Sequence, residues 1–140
     1  MVNIPPHILF GETHKDHRGE LKFNNSFNMA QVKRFYSISL KKKQVRRWQG
    51  HKVEQRWFTA ISGKFNIELI SVDNWIKPSI NLPKIGFELS SKSLNVLHIP
   101  SGYLTSIEAL DDNSILLAMS DYGFNEIDDD YKFPDKYFKI

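Results

Sequence analysis

Cysteine is absent from all 140 residues, which excludes disulfide frameworks, thiolate nucleophiles and thiolate-based zinc sites, and allows an intracellular compartment. Glycine and proline are sparse, at 7 and 6 residues, so collagen-like repeats are excluded. With 41% hydrophobic and 25% charged residues, the chain also has more apolar content than disordered segments carry. No window approaches the roughly 18 consecutive apolar residues of a bilayer-spanning helix. The opening Met1–Phe10 stretch lacks the basic end and long apolar run of a signal peptide. These absences predict a cytoplasmic protein without a membrane partner. What remains is enough for one buried core, and a single domain over residues 1–140 is expected.

Charge is nearly balanced overall, with 19 basic against 16 acidic residues, but it is unevenly placed. Between Lys33 and Arg56 the chain carries Lys33, Arg34, Lys41, Lys42, Lys43, Arg46, Arg47, Lys52 and Arg56 against the single acid Glu54, whereas Asp111 to Asp135 is mostly acidic. The basic part should attract anions. Phe35, Tyr36, Trp48 and Trp57 are interleaved with it, a mixture that suits a nucleotide diphosphate through arginine forks and aromatic stacking. Runs such as Lys41–Lys43 more often mark solvated turns, and no nucleic-acid partner is expected.

Short segments of alternating or β-rich character recur at Arg34–Leu40, Arg56–Ile61, Phe65–Val72, Gly86–Leu89, Leu94–Ile99 and Ser114–Met119. In Phe65-Asn66-Ile67-Glu68-Leu69 the apolar residues should face one side of a sheet and the polar ones the other. Ser62-Gly63-Lys64 reads as a hairpin turn, and Asp73-Asn74, Ser90-Ser91, Pro100-Ser101-Gly102 and Asp111-Asp112-Asn113 are further turn signals. Their spacing favours a sandwich or barrel over βαβ units. The predicted fold is all-β, a jelly-roll barrel, with one short helix around Pro134–Phe138 whose aromatic tail packs across the barrel or onto a second subunit.

Five segments in order carry a family resemblance. They are Asp16-His17-Arg18-Gly19-Glu20-Leu21, Arg34-Phe35-Tyr36-Ser37-Ile38, the run from Arg46 to Phe58 with Ser62-Gly63-Lys64-Phe65, Leu97-His98-Ile99-Pro100-Ser101-Gly102-Tyr103, and Ala118-Met119-Ser120-Asp121-Tyr122. Together they resemble the nucleotide-sugar-modifying cupins: the WxcM-like dTDP-4-keto-6-deoxyhexose 3,4-ketoisomerases and the related dTDP-4-dehydrorhamnose 3,5-epimerases. The resemblance implies a homodimeric RmlC-like cupin that binds a nucleotide-linked sugar in its barrel and serves deoxysugar or polysaccharide biosynthesis. Ketoisomerases of this kind carry His-x-His where this chain has Gln49 and His51. The epimerases place their base at the position of Gln49, often with a second histidine where Thr105 stands. Amides and hydroxyls do not titrate near neutral pH, so proton transfer here falls to His51.

Isomerisation beside a keto group needs a base for a carbon-bound proton, a group that stabilises the enolate, and an acid. His51 is the expected base, since an imidazole has an ordinary pKa of about 6.5. Tyr36 or Tyr103 is the expected acid, phenols being hydrogen-bond donors at neutral pH. Arg46 and Arg47 would grip the diphosphate, with Lys52 and Arg56 adding charge, Gln49 lining the site and Trp57 or Trp48 stacking on base or sugar. Glu54 would orient His51 or pair with Arg56. His51 and Glu54 are too few for a metallocupin, so neither metal nor other cofactor is expected. The alternative function is a catalytically silent cupin that binds a nucleotide sugar or glycan.

Overall fold

The computed structural model describes residues 4–139. In chain order the strands are β1 (His7–Leu9), β2 (Glu12–Asp16), β3 (Gly19–Phe23), β4 (Arg34–Leu40), β5 (Val45–His51), β6 (Arg56–Ser62), β7 (Lys64–Ser71), β8 (Lys84–Ser90), β9 (Val96–Ile99), β10 (Tyr103–Ala109), β11 (Ser114–Ser120) and β12 (Tyr131–Lys132). One sheet has the order β1-β9-β6-β11-β4 and the other β12-β5-β10-β7-β8, while β2 and β3 form a separate hairpin. All pairings are antiparallel. This is the jelly-roll arrangement that the turn spacing predicts.

The two sheets close on a core drawn from both. On β7, Phe65, Ile67 and Leu69 are fully buried, while Asn66 and Glu68 on the opposite face are only partly covered. They meet Phe58 and Ala60 of β6, Leu97 and Ile99 of β9, and Leu116 and Ala118 of β11. Each such large side chain contributes about 1.5–3 kcal/mol by leaving water. The outer faces are covered as well. Phe138 packs against Trp48, Ile70 and Leu104 on the second sheet, and Phe27 and Val32 cover Trp57, Val96 and Met119 on the first.

Two tight spots fix the register. Gly63, at φ +73°, turns β6 into β7 with no room for a Cβ beside Ser114. Between β5 and β10 the pairing slips at Thr105/Ser106, so that Gln49 opposes Thr105 but Arg47 opposes Ser106. That bulge changes which side chains of β5 face inward.

The tail does not form the expected helix. Pro134–Phe138 makes a single turn closed by Tyr137 N–H on the Pro134 carbonyl at 3.0 Å. Its aromatic residues find more area against the barrel, with Trp48 and Phe138 rings 5.5 Å apart edge to face, than five residues of helix could repay in hydrogen bonds. The one helical element among the described residues is the 3-10 turn Met29–Gln31, capped by Asn28. No described helix is long and apolar enough to cross a membrane.

Candidate active site

Where the core ends, the space between the sheets opens into a cavity of about 440 Å³. Arg34, Tyr36 and Ile38 of β4, Arg46, Gln49 and His51 of β5, Arg56 and Phe58 of β6, and Thr105 and Ile107 of β10 line it, with Glu54 between β5 and β6. The rest of the lining comes from the segment from Gly123 to Asp130, which supplies Phe124, Ile127, Asp128, Asp129 and Asp130. Cations and carboxylates thus face one another across a partly apolar floor.

His51 is held from two directions. Its Nδ1 lies 2.9 Å from the Asp129 carbonyl oxygen. A carbonyl can only accept, so Nδ1 carries the proton, and the neutral ring keeps its lone pair on Nε2. The Asp129 carboxylate fixes that carbonyl by accepting the backbone N–H groups of Lys52, Val53 and Glu54 at 3.0, 2.9 and 2.8 Å. Burial pushes the His51 pKa below its ordinary 6.5, and the Arg56 cation pushes the same way; the Asp129 carbonyl and the Glu54 and Asp130 carboxylates oppose them in part. The imidazole is therefore a neutral base at cellular pH.

Beside it runs a buried chain of polar contacts. Glu54 Oε2 is 3.4 Å from His51 Nδ1, and its Oε1 accepts from Ser120 Oγ at 2.7 Å and from Arg56 Nη2 at 3.2 Å. Glu54 thus pairs with Arg56, while the His51 Nδ1–H it lies beside is directed at the Asp129 carbonyl. Arg56 Nη1 donates in turn to the Tyr36 hydroxyl at 2.8 Å, which leaves the phenol's own hydrogen available to a ligand. Arg34 lies over the rings of Tyr36 and Phe124, 5.0 and 5.4 Å from their centroids. No salt bridge to a protein carboxylate engages Arg34 or Arg46 among the described residues.

Of the residues expected from sequence, His51, Tyr36, Arg46, Gln49, Glu54 and Arg56 come together around the cavity. Five do not. Trp57 alternates with Arg56 and Phe58 and points to the outer face, where it is buried and stacks on His98 at 5.3 Å. Arg47 is turned out of the cavity by the bulge and lies against Trp48, which is itself buried against Phe138 on the outer face. Lys52 is exposed beyond the end of β5. Tyr103 packs on the hydrophobic core instead of lining the cavity. Arg56 is present, but its guanidinium is committed to Glu54 and Tyr36, so it braces the site more than it offers a free fork to phosphate.

Arg34 and the whole Gly123–Asp130 segment escape sequence reasoning. The acidity of Asp128-Asp129-Asp130 was the available signal, but it reads as solvated surface until the chain folds it into the cavity lining. One donor atom from each of His51, Glu54 and Asp129 lies within 4.8 Å of the others. Asp129 already accepts three backbone N–H groups and His51 Nδ1 is a donor here, so these atoms are arranged for hydrogen bonds.

Comparison with known proteins bears on the family and the fold. The family model described as FdtA: WxcM-like, C-terminal matches residues 7–139. No curated protein matches the chain. Among solved structures, the chain is similar to a mutant of the 3,4-ketoisomerase QdtA from Thermoanaerobacterium thermosaccharolyticum, in complex with TDP-4-keto-6-deoxyglucose: 18% identity, 97% of this chain and 93% of that one, TM-score 0.71. A 3,4-ketoisomerase from Helicobacter canadensis aligns at 20% identity over 89% and 88% of the two chains, TM-score 0.67. A dTDP-4-dehydrorhamnose 3,5-epimerase from Sulfolobus tokodaii aligns at 16% over 100% and 83%, TM-score 0.75. Likeness at these identities establishes the RmlC-like cupin fold.

Proposed function

Because the chain belongs to the FdtA family (WxcM-like, C-terminal), we propose that it is an isomerase of a dTDP-4-keto-6-deoxyhexose, moving protons beside the keto group as a 3,4-ketoisomerase or an epimerase of deoxysugar biosynthesis. The observation that carries this reading is the tautomer of His51: Nδ1–H is tied to the Asp129 carbonyl, so Nε2 is the basic atom of a residue lining the cavity. Nε2 removes the proton next to the keto group. The C–H electron pair becomes the carbon–carbon double bond of the enolate, and the charge on oxygen meets a cationic wall. Tyr36, whose oxygen already accepts from Arg56, stabilises that oxygen by hydrogen-bonding to it while keeping its own proton. Arg46 and Arg34 hold the diphosphate. No redox partner is needed, since isomerisation leaves the oxidation state of the sugar unchanged.

Proton NMR of the protein with dTDP-4-keto-6-deoxyglucose in deuterated buffer tests this. Loss of the C3 proton signal with a 3-keto product identifies a ketoisomerase, and loss at C3 and C5 an epimerase. Binding without exchange would sink the enzyme and leave a nucleotide-sugar-binding cupin. One observation favours that second reading: Gln49 and Thr105 occupy the positions where histidines are expected, and the Thr105 hydroxyl donates to the Gln49 carbonyl at 3.1 Å. We infer, too, a homodimer, on the family resemblance.

A further inference from the structure

We propose that Asp130 is a second proton carrier of this site, held at the cavity by Gln49, and that it makes the enzyme a ketoisomerase instead of an epimerase. The inference rests on the isomerase reading above.

Gln49 Nε2 donates to Asp130 Oδ1 at 3.0 Å. The same Oδ1 lies 3.9 Å from His51 Nδ1, and the Asp130 side chain remains 60% exposed while lining the cavity. An amide at position 49 cannot take a proton, but its NH2 group can hold a carboxylate that does. A histidine at 49 would carry out proton transfer itself; a glutamine there positions a neighbour. The carboxylate comes from the 123–130 segment that lines the cavity, and Asp129, the adjacent residue, anchors that segment through three backbone N–H groups. Asp130 is therefore placed by a built contact on each side.

Its location selects the chemistry. Asp130 comes from the 123–130 segment and His51 from β5, but the carboxylate reaches within 3.9 Å of the imidazole ring, so in the proposed pose the two groups meet neighbouring atoms of a sugar ring from the same side. Epimerisation must return a proton to the opposite face; moving a carbonyl from C4 to C3 need not. In the proposed sequence His51 Nε2 takes the C3 proton, and the C3–H pair forms the C3=C4 bond as the carbonyl π pair moves onto O4. The Asp130 carboxylate takes the O3–H proton and delivers it to O4. The O3 electron pair then forms the C3 carbonyl, the double-bond pair accepts the proton back from His51 at C4, and both side chains end as they began. Protons and electrons balance with no external oxidant or reductant.

Asp130→Asn keeps a partner for Gln49 but cannot carry a proton. With dTDP-4-keto-6-deoxyglucose in deuterated buffer, it should form 3-keto product about 100-fold more slowly, the lower end of general acid–base effects. Exchange of the C3 proton through His51 should persist within about threefold of wild type, and Asp130→Glu should restore part of the conversion. Independently of turnover, the NMR titration midpoint of His51 should fall in Asp130→Asn, because a carboxylate that favours the imidazolium is gone. Conversion by Asp130→Asn within about threefold of wild type, or an unmoved His51 midpoint, overturns the assignment. Wild-type exchange at C3 and C5 without a 3-keto product overturns the role of Asp130 and leaves the isomerase reading standing. A wild-type protein with neither exchange nor product overturns both.

Discussion

At the scale of single residues, the site depends on one imidazole and on what fixes its tautomer. His51→Gln should reduce exchange of the substrate's carbon-bound proton by about 100-fold or more, while dTDP affinity measured by calorimetry stays within a few-fold, since the side chain is not asked to bind phosphate. The pH profile follows from burial. The folded pKa lies below 6.5, so the acid limb of the rate should fall below pH 6.5, and a limb above that value would mean that another group is the base. Arg46→Ala should weaken dTDP about tenfold or more, the usual worth of a charge-assisted hydrogen bond, and should flatten the dependence of affinity on salt. Sequence made His51, Tyr36 and Glu54 legible as cavity residues through the segments that carry the family resemblance. It could not separate Arg46 from Arg47. Plain alternation would put Arg47 on the side of Gln49 and His51, and only the slip opposite Thr105/Ser106 puts Arg46 there instead.

At the scale of elements, β5 is positioned by its closeness to β10. A Cβ on Gly50 would stand 2.1 Å from the Tyr103 carbonyl oxygen and 2.7 Å from Leu104 Cα, both backbone atoms that cannot swing aside. Gly50→Ala should therefore destabilise the fold by about 2–3 kcal/mol, at the upper end of overpacking costs, read as a lower urea midpoint with an unchanged slope. It should also move His51, one residue on. A substitution without effect on the midpoint would mean that these strands sit farther apart than the register requires. Strand legibility tracked how each face is used. Arg34–Leu40 alternates, coincides with β4, and buries its even-numbered positions more deeply than its odd ones; Phe65–Val72 gives β7 to within one residue at either end. The strands β5 and β10 lack that alternation: Arg46, Gln49 and His51 face a polar cavity, and Thr105 and Ser106 are buried despite their hydroxyls. Two of the four strands that line the cavity were therefore hard to read, while β4 and β6, which line it too, were not. The β2–β3 hairpin was equally obscure, because it pairs with neither sheet and most of its residues face solvent; its Asp16-His17-Arg18-Gly19 motif is a turn, with Arg18 N–H on Asp16 at 2.8 Å and Gly19 at φ +129°.

At the scale of the whole molecule, the jelly roll leaves His7, His51 and His98 partly buried, and two of them, His51 and His98, tie stability to pH. His51 lies in the cavity; His98 lies on the outer face of the first sheet, stacked on Trp57 with its Nε2 at 2.7 Å from Gln55 Oε1. Around His98 stand His7 of β1, edge on at 5.4 Å, and Asp121, which binds Gln55 from the end of β11. Burial lowers the pKa of both rings; for His51 Arg56 adds to it, and for His98 His7 does, against an opposing pull from Asp121. A folded pKa below the unfolded one means that, between the two values, the unfolded chain binds more protons. Stability is then fully present above about pH 6.5 and declines as the pH falls from there towards the folded values. The exposed carboxylates with lowered pKa, Asp16, Glu20, Asp73 and Glu126, act in the same direction but only below their ordinary 3.8 to 4.5. A window between about pH 6.5 and 5 therefore isolates the histidines. Thermal melts should show a lower Tm at pH 5.5 than at pH 7.5, and the double substitution His51→Asn with His98→Asn should shrink that difference. An equal drop in the double variant would place the acid sensitivity elsewhere. A basic site needs a neutral imidazole, and the burial that keeps His51 neutral is the same burial that makes the fold sensitive to acid.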